Sequence, residues 1–338
     1  MLNAHYKSND EYLDVLSREM SKEYQAIHKA GLLLQIDAPD LAMDRTMFHR
    51  DLSDTAFVKE VEKQVDAINR AIDGIPALTV CPDRARRCPV VFLLHGFGGR
   101  KEDLLDLAWR LASRGCFAVA FDAAHHGERA DGLLESFDDP QRCTYPLESG
   151  LDRYVLMHQV VVETSRDLAA LLDRLAADKR ADVTHCGVTG VSMGAFSAYH
   201  AAATEPRMAA IAPVVSMPAF ADRWDDVTLE ASTYDQWREQ MAAAQPATER
   251  HGEFLRSIDP FPHMAAFFPR PLFMLCGDLD TDQPKSYTLR LYRALLPVYT
   301  AHPDRLKLKI YDGVRHELAP EMMDDVADWF AGHWLPRR

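Results

Sequence analysis

From residue 76 onward, short apolar runs alternate with stretches in which apolar residues recur every three or four positions, the pattern of strands followed by helices. The predicted strands are Ala77 to Val80, Val90 to Leu94, Phe117 to Phe121, Cys186 to Gly190, Ala210 to Val215, Leu272 to Cys276 and Leu306 to Tyr311. Several are apolar throughout, as strands covered on both faces are. The pattern predicts an α/β chain: a doubly wound, mainly parallel sheet with helices on both faces. Between Ser216 and about Phe268 the alternation stops. This stretch, with Trp224, Trp237, Phe254, Phe261, Phe267, Phe268 and several prolines, reads as irregular and as a candidate lid over residues 216–268. Its aromatics can line an apolar acyl site, and core packing is the simpler role for each of them.

The first 75 residues follow another pattern. Leu13, Leu16, Met20, Tyr24 and Ile27 make one helical stripe, with Gly31 as a C-terminal cap. Leu32 to Ile36 reads as a buried strand, and Phe57, Val61, Val65, Ile68 and Ile72 make a second helical stripe that ends at Gly74-Ile75-Pro76. Neither helix can bury its stripe alone. Residues 1–75 are therefore expected to form a helix-strand-helix appendage to a second domain spanning 76–338.

Composition narrows the function classes. The 338 residues are 47% hydrophobic and 26% charged, an ordinary globular balance. Fifty-one acids against 38 bases give a formal charge of −13, which repels a phosphate backbone in the absence of a basic face, so no nucleic-acid partner is expected. The longest apolar runs fall far short of the roughly 20 residues that span a bilayer, so no membrane partner is expected either. The start, MLNAHYKSNDEY, lacks a basic patch followed by an apolar run, and a cytoplasmic location is expected. Six cysteines are scattered without CxxC spacing, which suggests neither a zinc knuckle nor a disulfide framework.

The chemistry is concentrated at four strand ends. Gly190-Val191-Ser192-Met193-Gly194 stands between a strand pattern and the helical run AFSAYHAAA. A serine hydroxyl is a weak nucleophile unless a tight strand-to-helix turn lifts it from the packed surface, and small flanking residues permit that turn. His95-Gly96-Phe97-Gly98-Gly99 ends the strand VVFLL, and its glycines free backbone N–H groups. The backbones of Phe97 and Met193 are the expected oxyanion donors, and His95 is expected to brace the loop rather than act as a base. Of the fourteen histidines, His316 is the candidate base, because it follows the last strand and precedes the last helix. The orienting acid belongs after the preceding strand, where Asp278, Asp280 and Asp282 compete in one loop. Asp280 is favoured and Asp282 is its main rival. The order Ser192, Asp280, His316 is that of hydrolases built on such an elbow. The adjacent His125 and His126 suggest a metal, but neighbouring side chains diverge and no third ligand is placed, so no metal is expected.

With these motifs in place, residues 76–338 resemble the α/β-hydrolase superfamily, and in particular its bacterial esterase and dienelactone-hydrolase-like branch. HGFGG, GVSMG, GDLD and the terminal Arg315-His316 carry the resemblance, joined by Asp122-Ala123-Ala124-His125-His126-Gly127-Glu128-Arg129. It implies the α/β-hydrolase fold and a serine hydrolase that acts on a small-molecule carboxylic ester or thioester without a cofactor. A second resemblance lies upstream. Glu23 to Ile27, the stretch AGLLLQIDAPDLAM from Ala30 to Met43, and Val65 to Asn69 with Gly74-Ile75-Pro76 are similar to part of the cobalamin-independent methionine-synthase-like family. There the aspartate matching Asp37 helps to hold an amino-acid substrate. After GIP that family continues into a zinc-ligating His and Cys segment, whereas this chain continues into ALTVCPDRARRCPVVFLLHG. Without the zinc, methyl transfer to a thiol has no chemistry to run on. Three hypotheses follow in order: a serine esterase or thioesterase, a non-catalytic binding protein on the same scaffold, and a methyltransferase.

Overall fold

The computed structural model describes residues 5–29, 75–82, 87–131, 133–134, 149–232 and 249–335. The chain divides into two compact units, Met1–Pro76 and Ala77–Arg338. In the first, helix α1 (Asn9–Lys29) is capped by Ser8, whose Oγ accepts the Glu11 N–H at 3.1 Å. The predicted strand from Leu32 and the second helical stripe lie outside the described residues.

The second unit is built on seven strands: β1 (Ala77–Val80), β2 (Cys88–Leu94), β3 (Phe117–Phe121), β4 (Ala181–Val191), β5 (Met208–Val214), β6 (Leu272–Gly277) and β7 (Leu306–Tyr311). They lie in the order β1-β3-β2-β4-β5-β6-β7. Among the described strands, only the β1–β3 pair is antiparallel. Helices among the described residues of this unit include α2 (Leu105–Ser113), α3 (Ser149–Leu175), α4 (Met193–Thr204), α5 (Phe220–Ser232), α6 (Lys285–Leu295) and α7 (Pro320–Trp334). On one face α2 and α7 press Leu107, Leu111, Met322, Val326 and Phe330 onto Val91, Leu93, Ala212 and Phe273, all of them buried. On the other, α4 packs on β2, β4 and β5, and α3 packs on α4. Burying each such large side chain contributes about 1.5–3 kcal/mol, so the two-sided apolar strands are what hold the layers together. Among the described residues, no helix is long and apolar enough to cross a membrane.

Two features depart from the sequence pattern. Strand β4 begins at Ala181, five positions before the apolar run, because its first half carries the exposed Thr184 and His185 and meets β2 through a shift of register. Among the described residues of the segment read as irregular after Ser216, most are helical: α5, a helical stretch over 249–258 and a 3-10 turn over Phe261–Phe267. Phe220 and Trp224, four apart on α5, are buried beside Leu255, and Phe267 is buried too. These aromatics fill the core. Trp237 lies outside the described residues.

The strand order fixes where a site can form. From β2 the chain winds to β3 on one side, and from β4 it winds to β5 on the other, so β2 and β4 flank the point where the winding reverses. In open α/β sheets a crevice opens there, at the carboxyl ends of the strands.

Candidate active site

Ser192 stands where β4 turns into α4, with φ 53° and ψ −117°. A non-glycine residue held at positive φ costs on the order of 1–3 kcal/mol, so its surroundings must impose it. They do so from both sides. The Ser192 N–H donates to the Val214 carbonyl of β5 at 3.0 Å, and the Ser192 carbonyl accepts the Ala195 and Phe196 N–H groups at 2.9 and 3.1 Å. The two glycines of the motif let the backbones close in. A Cβ on Gly190 would stand 2.3 Å from the Gly194 backbone, and one on Gly194 would stand 2.2 Å from the Leu94 carbonyl oxygen.

His316 follows β7. A carboxylate can only accept, so His316 Nδ1–H donates to Asp280 Oδ2 at 2.9 Å, and its Nε2 lone pair then faces the Ser192 hydroxyl, which donates to it at 2.8 Å. The Asp280 carboxylate is 1% exposed, and its Oδ1 accepts the N–H groups of Asp282 and Gln283 at 3.0 and 2.8 Å. Asp282 itself is exposed and offers Asp280 only its backbone. The loops carrying the acid and the histidine are tied to each other, Asp278 N–H to the Tyr311 carbonyl and Leu279 N–H to the Val314 carbonyl, both at 3.0 Å. Three side chains from the ends of β4, β6 and β7 thus form one chain of hydrogen bonds.

The loop after β2 lies against the elbow, since a Cβ on Gly96 would come within 3.8 Å of Ser192 Cβ. Phe97 and Gly98 form the turn closed by Gly99 N–H on the Gly96 carbonyl at 3.1 Å. Met193 is the first residue of α4, where backbone donors have no intrahelical acceptor and the helix dipole is positive. His95 Nε2 accepts the Ala123 N–H at 3.0 Å, and its Nδ1–H donates to the Gly96 carbonyl at 2.8 Å. Burial pushes its pKa down, and with both nitrogens engaged it braces the loop. His125 and His126 diverge: the half-buried His125 ring reaches Asp131 and Glu163, whereas His126 turns inward and its Nδ1–H donates to the Ala124 carbonyl. Lys101 and Asp122, which no motif marks as site residues, are both buried beside this loop. The readable signal was a charged residue, Asp122, directly ending an all-apolar strand.

A doubly wound sheet with a strained serine elbow at its switch point and an acid and a histidine on the last two strands defines a class of proteins, and the comparisons agree with it. The model of the alpha/beta hydrolase family matches residues 90–337, and the chain belongs to that family. It is similar to YitV of Bacillus subtilis (strain 168), 23% identical over 78% of this chain and 96% of the relative. It is also similar to Esterase YjfP of Escherichia coli (strain K12), 24% identical over 80% of this chain and 99% of the relative. Among solved structures, TT1662 from Thermus thermophilus matches with a TM-score of 0.56 at 23% identity, over 78% of this chain and 95% of that one. This is the α/β-hydrolase fold.

Proposed function

We propose that the protein is a serine hydrolase that cleaves a carboxylic ester or thioester of a small molecule through an acyl-enzyme on Ser192. The observation that carries this reading is the Ser192–His316–Asp280 chain of hydrogen bonds at 2.8 and 2.9 Å. As Ser192 Oγ attacks the substrate carbonyl carbon, its proton passes to His316 Nε2, and Asp280 stabilises the imidazolium so formed. The N–H groups of Phe97 and Met193 receive the oxyanion, and each such donor is worth about 10²–10³ in rate. The imidazolium then protonates the departing alkoxide or thiolate. His316 next takes a proton from water, whose hydroxide attacks the acyl carbon, and the proton returns to Ser192 Oγ as the acid leaves. The esterase named among the relatives supports the ester class.

Fluorophosphonate labelling tests the assignment. Wild-type protein labels and hydrolyses p-nitrophenyl esters, while Ser192→Ala loses the label and at least about 10³-fold in turnover. Unchanged turnover in the variant removes the mechanism. A wild-type protein inert to label and to a graded series of esters, thioesters and lactones points instead to a binding protein on this scaffold. The five described cysteines are all free thiols, which supports a cytoplasmic setting. Residues 1–75, with their methionine-synthase-like stretches, are read as an appendage. A chain beginning at residue 75 that stays soluble and active supports that view, and one that cannot fold counts against it.

A further inference from the structure

The loop that carries Phe97 is held at both ends by two consecutive residues from the end of β3. At its start, Ala123 N–H donates to His95 Nε2. At its end lies a buried ion pair: Asp122 Oδ1 accepts the Lys101 N–H and Oδ2 accepts Lys101 Nζ, each at 2.9 Å. Lys101 is 3% exposed and Asp122 is fully buried. Glu128 also bonds Lys101 Nζ, and the Glu128 N–H donates to Asp122 Oδ2 at 3.1 Å. Between the two anchors, the Phe97 ring meets the buried His126 ring edge-on, with centroids 5.5 Å apart.

Stability alone does not account for this arrangement. A buried ion pair usually loses in desolvation what it gains in attraction, and an apolar pair of the same shape serves stability as well or better. What a lysine and a carboxylate add is direction, because the bonds fix where the backbone of residue 101 sits relative to β3. Residue 101 is four positions from Phe97 in a loop with three glycines that would otherwise be free to move. We propose that Lys101 and Asp122 are positioning residues for the oxyanion donor: their buried ion pair fixes the height of the Phe97 N–H over Ser192. This rests on the reading of Ser192 as nucleophile and Phe97 as donor.

Breaking one side of the pair strands a charge and lowers stability by itself, so the decisive variant is neutral on both sides. Lys101→Met/Asp122→Asn strands no buried charge, although the asparagine can accept only one of the two backbone N–H groups that Asp122 takes, so it is expected to melt below wild type but to fold, and to lose about 100-fold in kcat at little-changed KM, the scale at which a misplacement of about 1 Å is felt. Affinity for a boronic acid, whose adduct on serine mimics the tetrahedral intermediate, falls in parallel. Gly127→Ala reaches the same pair without altering any charge, because its Cβ would stand 2.3 Å from Asp122 Oδ1 and push the carboxylate away. It is expected to lower kcat about tenfold, with boronate affinity following. If either variant folds and keeps wild-type kcat and boronate affinity, the pair is structural and the proposal is overturned. Failure of the underlying reading looks different, since Ser192→Ala would then retain turnover whatever the pair does.

Discussion

Acid should unfold this protein by a route that starts where α3 packs on α4. His158 on α3 is fully buried, stacked on Phe196 at 5.4 Å and meeting Phe220 at 4.4 Å. Its Nδ1–H donates to the Tyr154 carbonyl at 2.7 Å, and its Nε2 has no partner that could accept a second proton's hydrogen bond. Burial pushes its pKa down from 6.5 to about 4, and the backbone bond to Tyr154 offsets this only partly. A depressed histidine pKa means that the unfolded chain binds the proton first. The stability it contributes is therefore complete above about pH 6.5, declines as pH falls and is gone below about pH 4. At 1.36 kcal/mol per unit, the gap between 6.5 and about 4 is worth about 3 kcal/mol. Urea unfolding at a series of pH values measures it directly. The wild-type free energy should fall between pH 6.5 and 4 by about 3 kcal/mol more than that of His158→Leu, which has no proton to gain. Parallel pH dependences in the two proteins would refute the reasoning.

Two further predictions concern the site. Asp280→Asn should keep the fold but lose about 10⁴-fold in kcat, because the amide no longer holds His316 in the required tautomer, whereas Asp282→Asn should stay within a few-fold of wild type in the same ester assay. Gly194→Ala drives a Cβ to 2.2 Å from the Leu94 carbonyl oxygen, so thermal melting should show a destabilisation of at least about 1–3 kcal/mol. A variant with an unchanged Tm would show that the elbow and β2 are not pressed together.

The fold was readable from sequence wherever burial is two-sided. Val90 to Leu94 and Leu272 to Cys276 are apolar at every position, and each is a strand. The first half of β4 was not readable, because exposed residues interrupt the run. Nor was the direction of β1, since four residues look the same run either way. The helix α5 is hidden because its first turns bury Phe220, Ala221 and Trp224 around a half-buried Asp222, the exposed Asp225 and Asp226 follow, and Pro213 and Pro218 stand just before it. At the site, the motifs placed Ser192 and His316 at strand ends, where the structure brings them into contact. Asp278, Asp280 and Asp282 differ in which carboxylate the loop turns inward, a property of the fold rather than of the local sequence, and the Asp280 carboxylate accepts two backbone N–H groups and faces His316. The Lys101–Asp122 pair joins residues 21 apart, and although Asp122 stands out at the end of an apolar strand, no local pattern names Lys101 as its partner.

The parallel strand order gives the domain a division of labour between its two rims. The serine, the histidine, the acid and the glycine loop all leave the sheet where β2, β4, β6 and β7 end. At the opposite rim the chain enters the strands through connectors such as 114–116, 205–207 and 300–305, none of which carries a member of the Ser192–His316–Asp280 chain of hydrogen bonds. Surface attachment, cross-linking or inserted sequence at that far rim therefore leaves the surroundings of Ser192 untouched, while altered loops at the near rim change the groups that surround it.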